Sequence, residues 1–354
     1  MRKLFLLLLA TNIVSTISFA KIWRVNNNAG ISADFTTLQA AHDGASSGDT
    51  LYLESSATSY GGLTCTKKLI MIGTGYFLDE NPNSQALGQP SKVSTVTFNT
   101  GSAGSVIMGM DFEGSSVNVY ENNIAVRRNK FSSPNAGVSD YNTGTINSYY
   151  ANNNGSEPAN NIVITQNYGV SIRVNYPSTG ILIINNFLSF NAYYGESTAQ
   201  EVLHIHPNAI ALVQNNIFRR GQITANNSSF TNNIMYTGFF VGTGNLVANN
   251  LGSGTQFGTA NGNKSNVDMA TVFVGLDAGI SSDGQWKLKA GSPAIGAGYG
   301  STAANRIDAG MFSGQSTYVL AGLPPVPSIY FFENQPIGSN TDPVDVTIKV
   351  KSNN

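Results

Sequence analysis

The chain has 354 residues, with 19 Lys and Arg against 20 Asp and Glu and a formal net charge of −1. That balance excludes nucleic acid or an anionic membrane surface as the main partner, because both need a basic face. Only 11% of residues are charged while 41% are hydrophobic and 37 are Gly, the composition of a turn-rich β protein and not of a disordered chain. A single cysteine, Cys65, leaves no intrachain disulfide and reads as a small buried hydrophobe.

Residues 1–20 read as a secretory signal: Arg2 and Lys3 form the charged start, Leu4 to Ala10 opens the apolar run, and Ser18-Phe19-Ala20 is a small-x-small cleavage site. The apolar run is too short to anchor in a bilayer, so no membrane span is expected. Ile22 to Val25 then reads as a first short strand. Asp34 is placed as an N-cap before Phe35 to Ala41, where Phe35, Leu38 and Ala41 have helical spacing. Such a helix would cover the open edge of a strand stack, and the cap is expected over about 21–53. Thr50 to Leu53, Leu69 to Ile72 and Val106 to Phe112 follow as strands.

Six times an apolar strand then ends in an Asn-bearing step and restarts with another apolar residue. The steps end at Asn129, Asn167, Asn186, Asn216, Asn233 and Asn250, at intervals of 38, 19, 30, 17 and 17. A period of 17 to 19 is too short for paired-helix repeats and suits one turn of a parallel β-helix. Asn tolerates the left-handed backbone that a sharp corner demands. Repeated at one corner, the amides form an asparagine ladder, each donating to the next carbonyl. The 38-residue interval is either one looped coil or two ordinary coils of 19.

The closing segment Leu288 to Phe312 is rich in Gly and Pro and ends the regular repeat. Residues 313–354 read as a Pro-containing connector and a β tail, its last strand the alternating Val344 to Val350. The tail either covers the far end of the stack or forms a small β appendage. The domain order is thus a leader to residue 20, a β-helix domain over 21–312, and the tail.

Phe35-Thr36-Thr37-Leu38-Gln39-Ala40-Ala41 followed by Gly48-Asp49-Thr50-Leu51 resembles the N-terminal cap of the pectate-lyase-like superfamily of right-handed parallel β-helices. Tyr60-Gly61-Gly62 and Lys68 to Gly75 resemble its first coil, and Gly291-Ser292-Pro293-Ala294-Ile295 with Asp308-Ala309-Gly310 resembles its C-terminal ends. The overall look is similar to secreted Bacteroidetes β-helix proteins with no assigned activity. The resemblance implies an all-β, single-stranded right-handed parallel β-helix solenoid with an amphipathic N-terminal cap helix and a C-terminal β tail. It implies little about activity, since one scaffold hosts many.

Chemistry is expected where the two long intervals insert extra chain, roughly 132–160 and 191–201. If both loops leave one corner, about two coil spacings, on the order of 10 Å, separate them. Between Asn122 and Val267 the acidic residues are Asp140, Glu157, Glu196 and Glu201, all in these loops. Tyr141, Tyr149, Tyr150, Tyr193 and Tyr194 accompany them. Carboxylates for hydroxyls and flat rings for sugar faces are what a carbohydrate site needs. The competing reading is that polar loops project into water and their tyrosines pack them onto the barrel.

Asp140 or Glu157 against Glu196 or Glu201 are the candidate catalytic carboxylates, which in a glycosidase must face each other at about 5–9.5 Å. The clustered Asp motifs and Gly-His-Gly turn of β-helix polygalacturonases are missing. The acidic row that binds calcium in pectate lyases has no counterpart. A lyase needs a base and a cation to neutralise a uronate carboxylate. Arg127, Arg128, Arg173, Arg219 and Arg220 are available, but their differing offsets from the Asn corner speak against convergence. His204 and His206 share a strand parity, as paired metal ligands must, while Glu201 has the opposite one. With no third ligand, neither metal nor cofactor is expected, and His42 reads as structural. The resulting expectation is an exported monomer, in the periplasm, at the cell surface or outside the cell, contacting polysaccharide through the Tyr and acidic corner without cleaving it. The alternatives are a polysaccharide lyase or glycoside hydrolase at that corner, and a structural adhesin.

Overall fold

The computed structural model describes residues 20–134, 141–149, 157–190, 200–275, 279–335, 338 and 343–353, with backbone alone at 133–134 and 141–143. The leader core lies outside these residues.

Short strands recur in threes and stack coil upon coil. Among the described residues sheet I holds ten parallel strands, from Ile22–Val25 through Ala125–Arg127, Val163–Thr165, Ile181–Ile184 and Ala211–Gln214 to Leu246–Ala248. Sheet II holds very short strands such as Met110–Asp111, Phe187–Leu188, Ile217–Phe218 and Ile234–Met235. Sheet III includes Val117–Val119, Thr145–Ser148, Glu201–Ile205, Gln222–Thr224 and Phe239–Val241. Tyr168–Val174 turns from sheet II into sheet III at Gly169 (φ 65°) with no intervening loop and joins them. This is a parallel β-helix, the fold that the sequence resemblance implied. Leu51, Met71, Ile107, Val126, Ile183, Val213 and Phe230 from successive sheet I strands are fully buried in its bore, each contributing about 1.5–3 kcal/mol. Cys65 lies in the same core, and burial pushes its thiol pKa up.

The corner between sheets I and II carries the Asn steps. Asn129, Asn167, Asn186, Asn216 and Asn233 each donate Nδ2 to the next Asn Oδ1, at 3.2, 3.0, 3.0, 3.0 and 2.9 Å. Each backbone N–H reaches the same oxygen. Asn250 extends the row to Asn263 at 3.1 Å, a member that the sequence pattern does not reveal. The left-handed residue of each step is the one before the row: Arg128, Gln166, Asn185, Asn215, Asn232 and Asn249, with φ between 51 and 60°. In four of the six it is an Asn, which bears that conformation with less strain.

The 38-residue interval is one coil, because Val126 pairs directly with Ile164 and Lys130 with Tyr168. Its extra chain leaves at two corners. A hairpin, Ser132–Pro134 with Tyr141–Thr143, inserts between sheets II and III, and a second excursion follows Ser148 before Val163 on sheet I. The 30-residue interval inserts at the II–III corner, between Leu188 and Glu201. Only the hairpin therefore shares a corner with the second loop. One coil lies between them, that of the uninterrupted strand Tyr168–Val174.

The cap helix is Leu38–Gly44, and it packs against the first strands of the stack. Its N-cap is Thr37, whose Oγ1 accepts from Ala40 N at 3.2 Å, and not Asp34. Asp34 instead accepts from Arg24 N at 2.8 Å, and Phe35 bridges Val25 outside the helix. His42 is buried, its Nε2 3.0 Å from Thr66 N.

The segment after the last coil turns back along the I–II corner toward the N-terminal coils. In chain order, the Ala297 carbonyl accepts from Asn249 (3.0 Å), those of Met311 and Ser313 from Asn185 (2.8 and 2.7 Å), and that of Leu323 from Arg128 (2.7 Å). Tyr76 N donates to Ala321 O, Tyr76 and Tyr318 share a hydroxyl contact of 2.8 Å, and buried Asp283 accepts from Ala321 N at 2.7 Å. This strap ties residue 76 to residue 318. It ends in an antiparallel hairpin, Ser328–Asn334 with Val346–Lys351, docked beside Ser84 and Ala86.

Candidate functional site

Parallel register places one outward side chain per coil on sheet III: Asn118, Asn147, Arg173, His204 and Thr224 occupy equivalent positions. Asn147 donates to Asn118 at 3.1 Å. Arg173 Nη1 donates to Glu201 Oε2 at 2.9 Å, and His204 Nδ1 lies 3.0 Å from Glu201 Oε1. Gln222 donates to Thr224 at 2.9 Å on the next coil.

Glu201 reaches this face although its parity relative to His204 is opposite. The strand Glu201–Ile205 has a register shift between Glu201 and Leu203, and Val202 and Leu203 are both fully buried. One extra inward residue is what a β-bulge inserts, and it turns Glu201 outward beside His204. Burial pushes the Glu201 carboxyl up, but hydrogen bonds from His204, Thr224 and Arg173 more than reverse it, leaving it below the usual carboxylate range. It is an ionised, doubly held group, and it fixes the imidazole with Nε2 free of partners among the described residues. The constellation is a base beside a cation, each about a third exposed.

The five arginines lie on three different faces, in keeping with their differing offsets from the Asn corner. Arg173 joins Glu201 and His204, while Arg219 and Arg220 follow the sheet II strand Ile217–Phe218, with Arg220 over the Phe190 ring at 5.8 Å. Arg127 and Arg128 lie on sheet I and the Asn corner. His206 falls just past its strand, where Nδ1 accepts from Asn208 N at 3.2 Å. Among the described residues no group of three His, Cys, Asp or Glu is placed to hold a metal ion.

Tyr149 stacks face to face on Tyr120 at 4.5 Å and 8°. Burial raises the Tyr120 phenol pKa, and neighbouring Tyr149 and Tyr176 add to the effect. Glu157 is exposed at the III–I corner, away from Glu201. Asp140, Tyr150, Tyr193, Tyr194 and Glu196 lie outside the described residues, as does the Tyr141 side chain.

The residues that sequence reasoning missed are Asn118, Asn147, Tyr120, Tyr176, Gln222 and Thr224. Sheet III strands carry no Asn marker, so their register emerges only once the coils are stacked. A separate concavity of ≈ 350 Å³ on sheet II holds Lys130 with Asp111 and Lys92 with Glu113, both at 2.8 Å. Those charges satisfy one another.

No helix of the described residues is long and apolar enough to cross a membrane. No protein-family model and no curated protein matches the chain. Among solved structures it is similar to the crystal structure of pectate lyase Pel9A, at 15% identity over 84% of this chain and 97% of that one, with a TM-score of 0.29. The fold rests on the strand order and register described above.

Proposed function

We propose that this chain is an exported β-helix protein that holds a polysaccharide along sheet III without cleaving it. The observation that carries the reading is the coil-spaced polar row Asn118, Asn147, Arg173, His204 and Thr224, next to the corner from which the hairpin and the second loop leave. Coils repeat every 4.7–4.9 Å, close to the advance per sugar of an extended polysaccharide, so successive coils can meet successive rings. Both the bridged carboxylate and the amides offer hydroxyl partners. In the binding reading Glu201 is an ionised acceptor, held by His204, Thr224 and Arg173, that meets sugar hydroxyls.

One observation favours a lyase as the second reading: His204 Nε2 is open and Arg173 stands beside it. In that case the imidazole would take the proton next to a uronate carboxylate, the electron pair would form the ring double bond, the glycosidic C–O bond would break, and the leaving oxygen would take a proton from water.

Affinity electrophoresis of the full chain through a panel of neutral and acidic polysaccharides tests the binding reading. Retardation by one polymer that disappears with Arg173→Gln supports it. Mobility unchanged by every polymer leaves a structural role instead.

A further inference from the structure

A groove of ≈ 990 Å³ runs along the outside of sheet I, on the opposite side of the Asn corner from sheet II. Its floor comes from four successive coils: Arg127, Thr165, Ile184 and Gln214 are in register, with Val163 and Leu182 beside them. Three coil steps span on the order of 14 Å. The strap forms the far wall through Ser313 to Thr317 and Val319.

The groove is positively charged. Arg127, Arg128 and Arg306 line it, and no Asp or Glu does. Arg128 bonds only neutral oxygens, those of Gln166 and Leu323, at 2.8 and 2.7 Å. Arg127 is exposed, with no hydrogen-bond or ion-pair partner for its guanidinium among the described residues, and only Arg306 has a counterion, Asp308. Uncompensated guanidiniums on an apolar and amide floor call for an anion.

The rest of the lining narrows the anion to a class. Gln214 and Asn305 offer amide groups, and Tyr299, Ile307 and Pro325 offer apolar surface, with the Tyr299 ring well exposed. A ligand that brings acid groups for the arginines, hydroxyls for the amides and flat faces for the ring is an acidic sugar chain.

We propose that the groove between sheet I and the strap is a second carbohydrate site that binds an acidic oligosaccharide, with Arg127 and Arg128 meeting its carboxylate or sulfate groups. The site is separate from sheet III and does not depend on the role given to that face.

Isothermal titration of the full chain with an oligogalacturonate, paired with hydrogen exchange, tests it. The expected result is protection at 163–165, 182–184 and 313–319, affinity at least tenfold weaker in Arg127→Gln and in Gln214→Ala, and a comparable loss on methyl-esterifying the ligand. Protection confined to 118–120, 147–149 and 201–204 would overturn the groove proposal and leave the sheet III reading intact. Absence of binding, groove binding indifferent to Arg127→Gln, or equal affinity for the esterified ligand would each overturn it.

Discussion

Asn216 is held on four sides: Asn186 donates to its Oδ1 from both the backbone and the side chain, and its own Nδ2 reaches Asn233 Oδ1 and the Ile183 carbonyl. Asn216→Leu would strand the Asn186 N–H and a lone pair of Ile183, with each unpaired buried group costing about 1–3 kcal/mol. A loss of about 2–4 kcal/mol in denaturant unfolding is expected. A change of a few tenths would remove the energetic role of the row. Glu201 gives a pH prediction of defined sign. Burial raises its folded pKa, but hydrogen bonds from His204, Thr224 and Arg173 lower it overall, so these contacts add stability above the unfolded value and lose it as pH falls through the folded value. Carboxyl NMR should show Glu201 titrating below the range of an ordinary glutamate and moving upward in Arg173→Gln. An unshifted midpoint in the variant would mean that the bridge does not hold the charge.

At the scale of elements, much of the core was legible because sheet I ends in a marker. Val126, Ile164, Ile183, Val213 and Phe230 each precede an Asn step by a fixed offset, and all point into the bore. The cap helix was found one turn early, since Asp34 and Thr37 are both acceptable caps by type and only tertiary contact chooses between them. Thr37→Ala should lower stability by about 1 kcal/mol, whereas Asp34→Ala should leave helix content unchanged by circular dichroism. The face bearing Arg173, Glu201 and His204 was hidden by the bulge at Val202, which no periodicity announces. Asn263 was hidden for a similar reason: it follows Asn250 by 13 residues, outside the repeat, and the Gly262 before it breaks the apolar pattern.

At the scale of the molecule, the strap is the feature that sequence reading placed least well. Its partners are the side chains of the left-handed residues, and their value as amide donors becomes visible only when the corner is seen from outside. Asn249, Asn185 and Arg128 bind successive strap carbonyls, and Asp283 closes the lock with Tyr318 at 3.2 Å and Ala321 at 2.7 Å. Asp283→Ala would leave the Ala321 N–H buried and unpaired, at a cost of about 1–3 kcal/mol. Limited proteolysis should then cut within 313–325 faster than in the unaltered chain, while the coils resist. Equal rates would mean that the strap is held elsewhere.

The central claim is binding along sheet III without cleavage. Prolonged incubation of the full chain with the polymer that retards it, followed for new reducing ends and for the absorbance of an unsaturated uronate, tests that claim most directly. The account predicts retardation and no product of either kind. Unsaturated product that disappears in His204→Gln would contradict it and make sheet III the active site of a lyase.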